Sequence, residues 1–136
     1  RELVRVFSET GIRTSVVDER NELSATENGR AQFELGSCTD VLVDVPKAQG
    51  AMMLLRGMNP QVIAVDEITA AEDIAAMAHA ANCGAALLAT MHAADLDELR
   101  QKPLWPLLRD SGVFRRAVVI EGMGEERRYR VEELLP

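Results

Sequence analysis

Val62-Ile63-Ala64-Val65 is an unbroken apolar run that ends in Asp66-Glu67. A strand with one face in water would alternate, so this run reads as buried on both faces, like the central strands of parallel sheets. Such a strand needs a covering layer on each side, and the flanking sequence supplies amphipathic helical stretches. A helix over 1–10 is closed by Gly11 and leads to a strand at Thr14–Asp18. Asp44 and Pro46 read as cap and first turn of a second helix, with Ala48, Ala51, Met52 and Leu55 on one face and its stop at Gly57. The Thr69–Glu72 spacing of a capping box opens a third helix, and a second buried strand runs from Ala85 to Thr90. Strands alternating with helices imply crossover connections and a mostly parallel α/β sheet.

Residues 19–36 lack a period and read as a loop. Beyond Thr90, Asp95 and Glu98 start a short helix broken at Pro103, and another helix runs from Leu104 to Ser111. Ala117–Glu121 reads as a strand, with Tyr129–Val131 as its hairpin partner. The 136 residues suit one domain, 1–136. Aromatics are only 4%, so the core falls to Ala, Val, Ile, Leu and Met, with Met52, Met53, Met58 and Met77 expected as filler. A net charge of −7 disfavours broad attraction to nucleic acid. Cys38 and Cys83 form neither a metal spacing nor a disulfide framework, which fits a reducing cytoplasm. No apolar run approaches the ~20 residues that span a bilayer.

Ligands of parallel α/β sheets bind beyond the C-terminal ends of the strands. Three strands here end in polar groups: Asp18-Glu19-Arg20, Asp66-Glu67, and Thr90-Met91-His92. In P-loop ATPases, an apolar strand ending in Asp-Glu is the Walker B element. Its Asp serves the Mg²⁺ hydration shell and its Glu polarises the attacking water. The bare pair also occurs by chance as a helix cap, and the acids at 18–20 alone would suit a solvated charge run. His92 taken alone suits a structural histidine, and its place beside Asp66-Glu67 adds a γ-phosphate-sensing reading. No G-x-x-x-x-G-K-[S/T] occurs in the chain. The chain opens inside a helical pattern with no initiator Met, as expected of a piece that begins just after such a loop.

Five segments taken in order carry a resemblance. They are Val17-Asp18-Glu19-Arg20-Asn21-Glu22, Thr39-Asp40-Val41-Leu42, Pro46-Lys47-Ala48-Gln49-Gly50-Ala51-Met52-Met53, Leu55-Arg56-Gly57-Met58-Asn59-Pro60 and Val62 to Ile68. Together they resemble the stage III sporulation protein AA family, relatives of the type II and type IV secretion ATPases, from about Gly11 to Phe114. The resemblance implies a three-layer, mostly parallel RecA-like P-loop NTPase core, here truncated at its N-terminus, that uses ATP and Mg²⁺. It implies a homo-oligomer, a hexamer, on the cytoplasmic face of a membrane channel complex. By position, Asp66 becomes the metal residue, and Glu67 and His92 the catalytic pair. Asp18, Glu19, Arg20, Arg56 and Thr90 become nucleotide-binding residues. Three positions depart from the family pattern. Cys38 stands where Arg is usual, Thr69 where Gly is usual, and Met91-His92-Ala93 where Ala-His-Gly is commoner.

These readings give an ATP-hydrolysing motor subunit, inactive in this piece without its P-loop. The alternative is a non-enzymatic, ATPase-like assembly scaffold. Binding of single-stranded nucleic acid is a third reading, weakened by the negative charge and the few aromatics available for stacking.

Overall fold

Four parallel strands form the middle layer of the computed structural model, which describes residues 1–135. They are β1 (Thr14–Asp18), β2 (Thr39–Val43), β3 (Val62–Val65) and β4 (Ala86–Ala89), in the order β2-β1-β3-β4. The two inner strands, β1 and β3, are buried along their whole length; β3 is wholly apolar, whereas β1 buries Thr14, Ser15 and Asp18 beside its two valines.

Alternate residues of each strand face opposite layers. Val17, Ile63 and Val65 join a core with residues of α2 (Lys47–Met58), α3 (Ala71–Asn82) and α5 (Trp105–Ser111). Val16 and Ala64 face the other way, onto Val4 of α1 (Glu2–Glu9) and Leu35. The result is three layers, with helices on both faces of a parallel sheet. Gly50 lets α2 approach the sheet closely, since a Cβ there would sit 2.6 Å from Val17 Cγ1. Asn59, in a left-handed conformation, ends α2 one residue past the expected stop at Gly57.

The chain leaves the sheet through α4 (Leu96–Gln101), which opens with a reciprocal cap. Asp95 accepts from the Glu98 amide at 2.8 Å, and Glu98 accepts from the Ala94 amide at 2.9 Å. After α5, strands β5 (Arg116–Glu121) and β6 (Arg128–Glu133) form an antiparallel hairpin as a separate two-stranded sheet. Val119 anchors it to Leu96 and Leu99. No helix among the described residues is long and apolar enough to cross a membrane.

Several local expectations need correction. Thr39–Val43, to which the sequence pattern assigns no element, is a strand at the edge beside β1. Its opening Thr-Asp and partial exposure hide the apolar signature of a buried strand. Asp44 does not cap α2: it lies in a left-handed turn (φ 59°), and Pro46 is the residue before the first turn. The box at α3 sits one residue later, with Asp73 accepting from the Thr69 and Ala70 amides at 3.0 and 3.1 Å. β4 is half-exposed, being an edge among the described strands. Met77 is core, but Met53 and Met58 are each 49% exposed on α2.

Candidate functional site

The strand register brings the polar strand ends together. Val17 pairs with Val65, and Val65 with Ala89. The next residues, Asp18, Asp66 and Thr90, therefore stand at one level of the C-terminal rim. A cavity of about 250 Å³ opens there, lined by Glu19, Arg20, Lys47, Asp66, Glu67 and Thr69.

Asp66 and Glu67 are largely withdrawn from solvent, with side chains 20% and 26% exposed. Glu67 has φ 34°, a left-handed backbone that a residue with a Cβ adopts at a cost. Thr90 holds this turn. Its hydroxyl accepts from the Glu67 amide at 2.9 Å and lies 3.4 Å from Asp66 Oδ1, while its carbonyl accepts from the Ile68 amide at 2.8 Å. The strained peptide is thereby tied to β4, and both carboxyl groups are presented to the cavity.

Arg20 crosses to the same pair. Its Nη2 lies 3.3 Å from Asp66 Oδ2, 3.3 Å from Glu67 Oε2 and 3.4 Å from Glu22 Oε2. The hydrogen bond to Asp66, followed by the charge of Glu22, raises the guanidinium pKa above its ordinary value. Glu19 pairs with the Lys47 ammonium, whose side chain is only 10% exposed.

Asp18 has a different placement from the one expected. It is fully buried, and its carboxylate points into the loop that follows β1. Oδ1 accepts from the amides of Glu22 and Leu23 at 2.9 and 3.0 Å. Oδ2 accepts from the Ser24 amide at 2.8 Å and the Ser24 hydroxyl at 2.7 Å. Burial alone would push the carboxyl pKa up. The Ser24 hydroxyl and the three amides outweigh it, and the net shift is downward. Asp18 thus shapes the loop carrying Glu19 and Arg20 and does not line the cavity.

His92 stands at the rim with an 88% exposed side chain, its Nε2 3.9 Å from Glu67 Oε2, too far for a hydrogen bond. Arg56 is not brought to the cavity. It lies in the last turn of α2, which starts at the rim with Lys47 and runs back along the sheet. Nine residues of helix separate the two by about 13 Å. At that end, the carbonyl of Asn59, the residue after α2, accepts from Arg13 Nε, just ahead of β1, at 2.9 Å.

Lys47 and Thr69 are the cavity residues that the sequence did not reveal. Lys47 follows from β2: a parallel strand at 39–43 puts the next turn, and the head of α2, at the C-terminal rim.

The parallel sheet with helices on both faces, and an acidic rim at its C-terminal edge, has the fold of a known ATPase. It aligns with the X-ray structure of the Legionella pneumophila ATPase DotB at TM-score 0.61 and 19% identity, covering 98% of this chain and 39% of that one. The chain belongs to the family described as sporulation stage III, protein AA, whose family model matches residues 1–131. It is 35% identical over 122 residues to the stage III sporulation protein AA of Bacillus subtilis (strain 168). That alignment covers 85% of this chain and 39% of the Bacillus protein, so the chain spans about two-fifths of its relative's length.

Proposed function

We propose that this chain is the hydrolytic part of an ATP-driven motor subunit that acts in an oligomeric ring on a membrane-channel complex at the cytoplasmic face. The observation that carries the proposal is the Asp66-Glu67 pair, tied by Thr90 at the C-terminal rim and facing a cavity with two cations on its wall. The fold shared with DotB and membership of the sporulation family support it.

The residues present suit Mg²⁺. Asp66 and Glu67 offer hard carboxylate oxygens, and among the described residues no group of three or more metal-binding side chains would form a cage alone. A cation that keeps its waters and shares ligands with phosphate matches such a sparse site. Asp66 would hold Mg²⁺, which when bound offsets the charge of the phosphate oxygens. Glu67 accepts a hydrogen bond from a water and directs its lone pair toward the terminal phosphate. Its strained, Thr90-tied backbone fixes the direction of that carboxylate, which suits a reaction governed by positioning. Arg20 offsets part of the negative charge of the two acids. His92, exposed at the rim, is free to turn toward a ligand. The hydrolytic reading requires a phosphate-binding loop, and no G-x-x-x-x-G-K-[S/T] motif occurs in these 136 residues.

Phosphate release from MgATP by the full-length protein tests the proposal. Turnover supports it. Absence of turnover with the channel partners added contradicts it and favours an ATPase-like scaffold.

A further inference from the structure

Lys47 is a charged side chain, nine-tenths buried, on the wall of the cavity that also holds Glu67. An ammonium has three N–H donors. Among the described residues its one hydrogen-bond partner is Glu19 Oε2, which leaves two donors without an acceptor. A buried cation with spare donors is costly unless an anion completes it. Its position adds to this. Lys47 is the first residue of the 12-residue α2, whose N-terminus has no side-chain cap and no acidic residue in its first turn. The helix itself supplies no group that offsets the partial positive charge of that end, which favours an anion. The cavity lining as a whole carries three carboxylates, Glu19, Asp66 and Glu67, against two cations, Arg20 and Lys47. Arg20 meets its three acids through Nη2 alone, and its half-exposed side chain leaves the other donors open to water. Lys47 is the cation whose spare donors are buried.

We propose that Lys47 contacts the terminal phosphate of the bound nucleotide, donating its two spare N–H bonds while Glu19 keeps the third. This rests on the nucleotide reading of the site. The terminal phosphate is the group concerned because Lys47 shares the cavity with Glu67, the residue that directs the attacking water. Lys47 thereby distinguishes nucleoside triphosphate from diphosphate. A purely structural Lys47 would only tie α2 to the loop after β1 through Glu19.

The test is equilibrium binding of fluorescent MgATP and MgADP to the full-length protein carrying Glu67→Gln, which holds the triphosphate unhydrolysed. Adding Lys47→Met is expected to weaken MgATP by about tenfold or more, the scale of a lost hydrogen bond to a charged group. MgADP should change by less than about twofold, since its contacts lie elsewhere. Lys47→Arg should restore most of the MgATP affinity. Lys47→Gln substitutes if the Met variant does not melt cooperatively. Equal losses for both nucleotides, or no loss, would overturn the assignment. A Glu67→Gln parent that binds neither nucleotide would instead remove the nucleotide reading itself.

Discussion

The Thr90 hydroxyl accepts the Glu67 amide at 2.9 Å, from the neighbouring strand end, and so fixes the one rim carboxylate that sits on a left-handed backbone. Replacing Thr90 by Val removes the acceptor at nearly constant volume. The expected stability loss is about 1 kcal/mol, because one net hydrogen bond is lost. Turnover should fall more, by roughly tenfold or greater, since small misplacements of a positioned group are costly in rate. Thr90→Ser should retain both. Thermal unfolding beside steady-state phosphate release checks the split.

Asp18 is held by four donors and makes no contact with the cavity. Asp18→Asn would place an amide N–H against donors, and a loss of about 2–4 kcal/mol is expected for a disrupted buried network. The pH dependence follows from the lowered folded-state pKa. The contribution is complete above the unfolded carboxyl value of about 4 and disappears as pH falls through the lower folded value. Urea denaturation at several pH values should show wild type ahead of Asp18→Asn at pH 7 and the gap narrowing below about pH 4.

Gly50 marks where α2 meets β1. An alanine Cβ would stand 2.6 Å from Val17 Cγ1 and 3.3 Å from Cγ2, on a fully buried side chain of an inner strand. Gly50→Ala is expected to destabilise by about 1–3 kcal/mol, as overpacking does, despite the higher helix propensity of Ala. Pairing it with Val17→Ala should recover part of the loss. Chemical denaturation of the single and double variants measures this.

The central strand and its acids were legible because four apolar residues in a row leave no exposed face, and the chain must turn where Asp66-Glu67 begins. The hairpin and the reciprocal cap at Asp95 and Glu98 were legible from short-range spacing. The edge strand at 39–43 was not: Thr39 and Asp40 are ordinary loop residues, and Asp44 with Pro46 imitates a cap. Missing that strand also concealed Lys47, since nothing else in the sequence places residue 47 at the rim. Asp18 could be assigned to a strand end but not to a face. The bonds that turn it inward come from Glu22, Leu23 and Ser24, which follow no period. Arg56 shares a sequence segment with the site but sits at the far end of a helix that runs away from it.

Glu67 is the residue on which the hydrolytic reading depends. The decisive measurement is single-turnover cleavage of MgATP by the full-length protein, with and without Glu67→Gln, alongside nucleotide affinity. The account predicts that Glu67→Gln binds MgATP within about threefold of wild type while cleavage slows by roughly a hundredfold or more, as for loss of a general base. Cleavage that proceeds at the wild-type rate in Glu67→Gln, with binding intact, would contradict it.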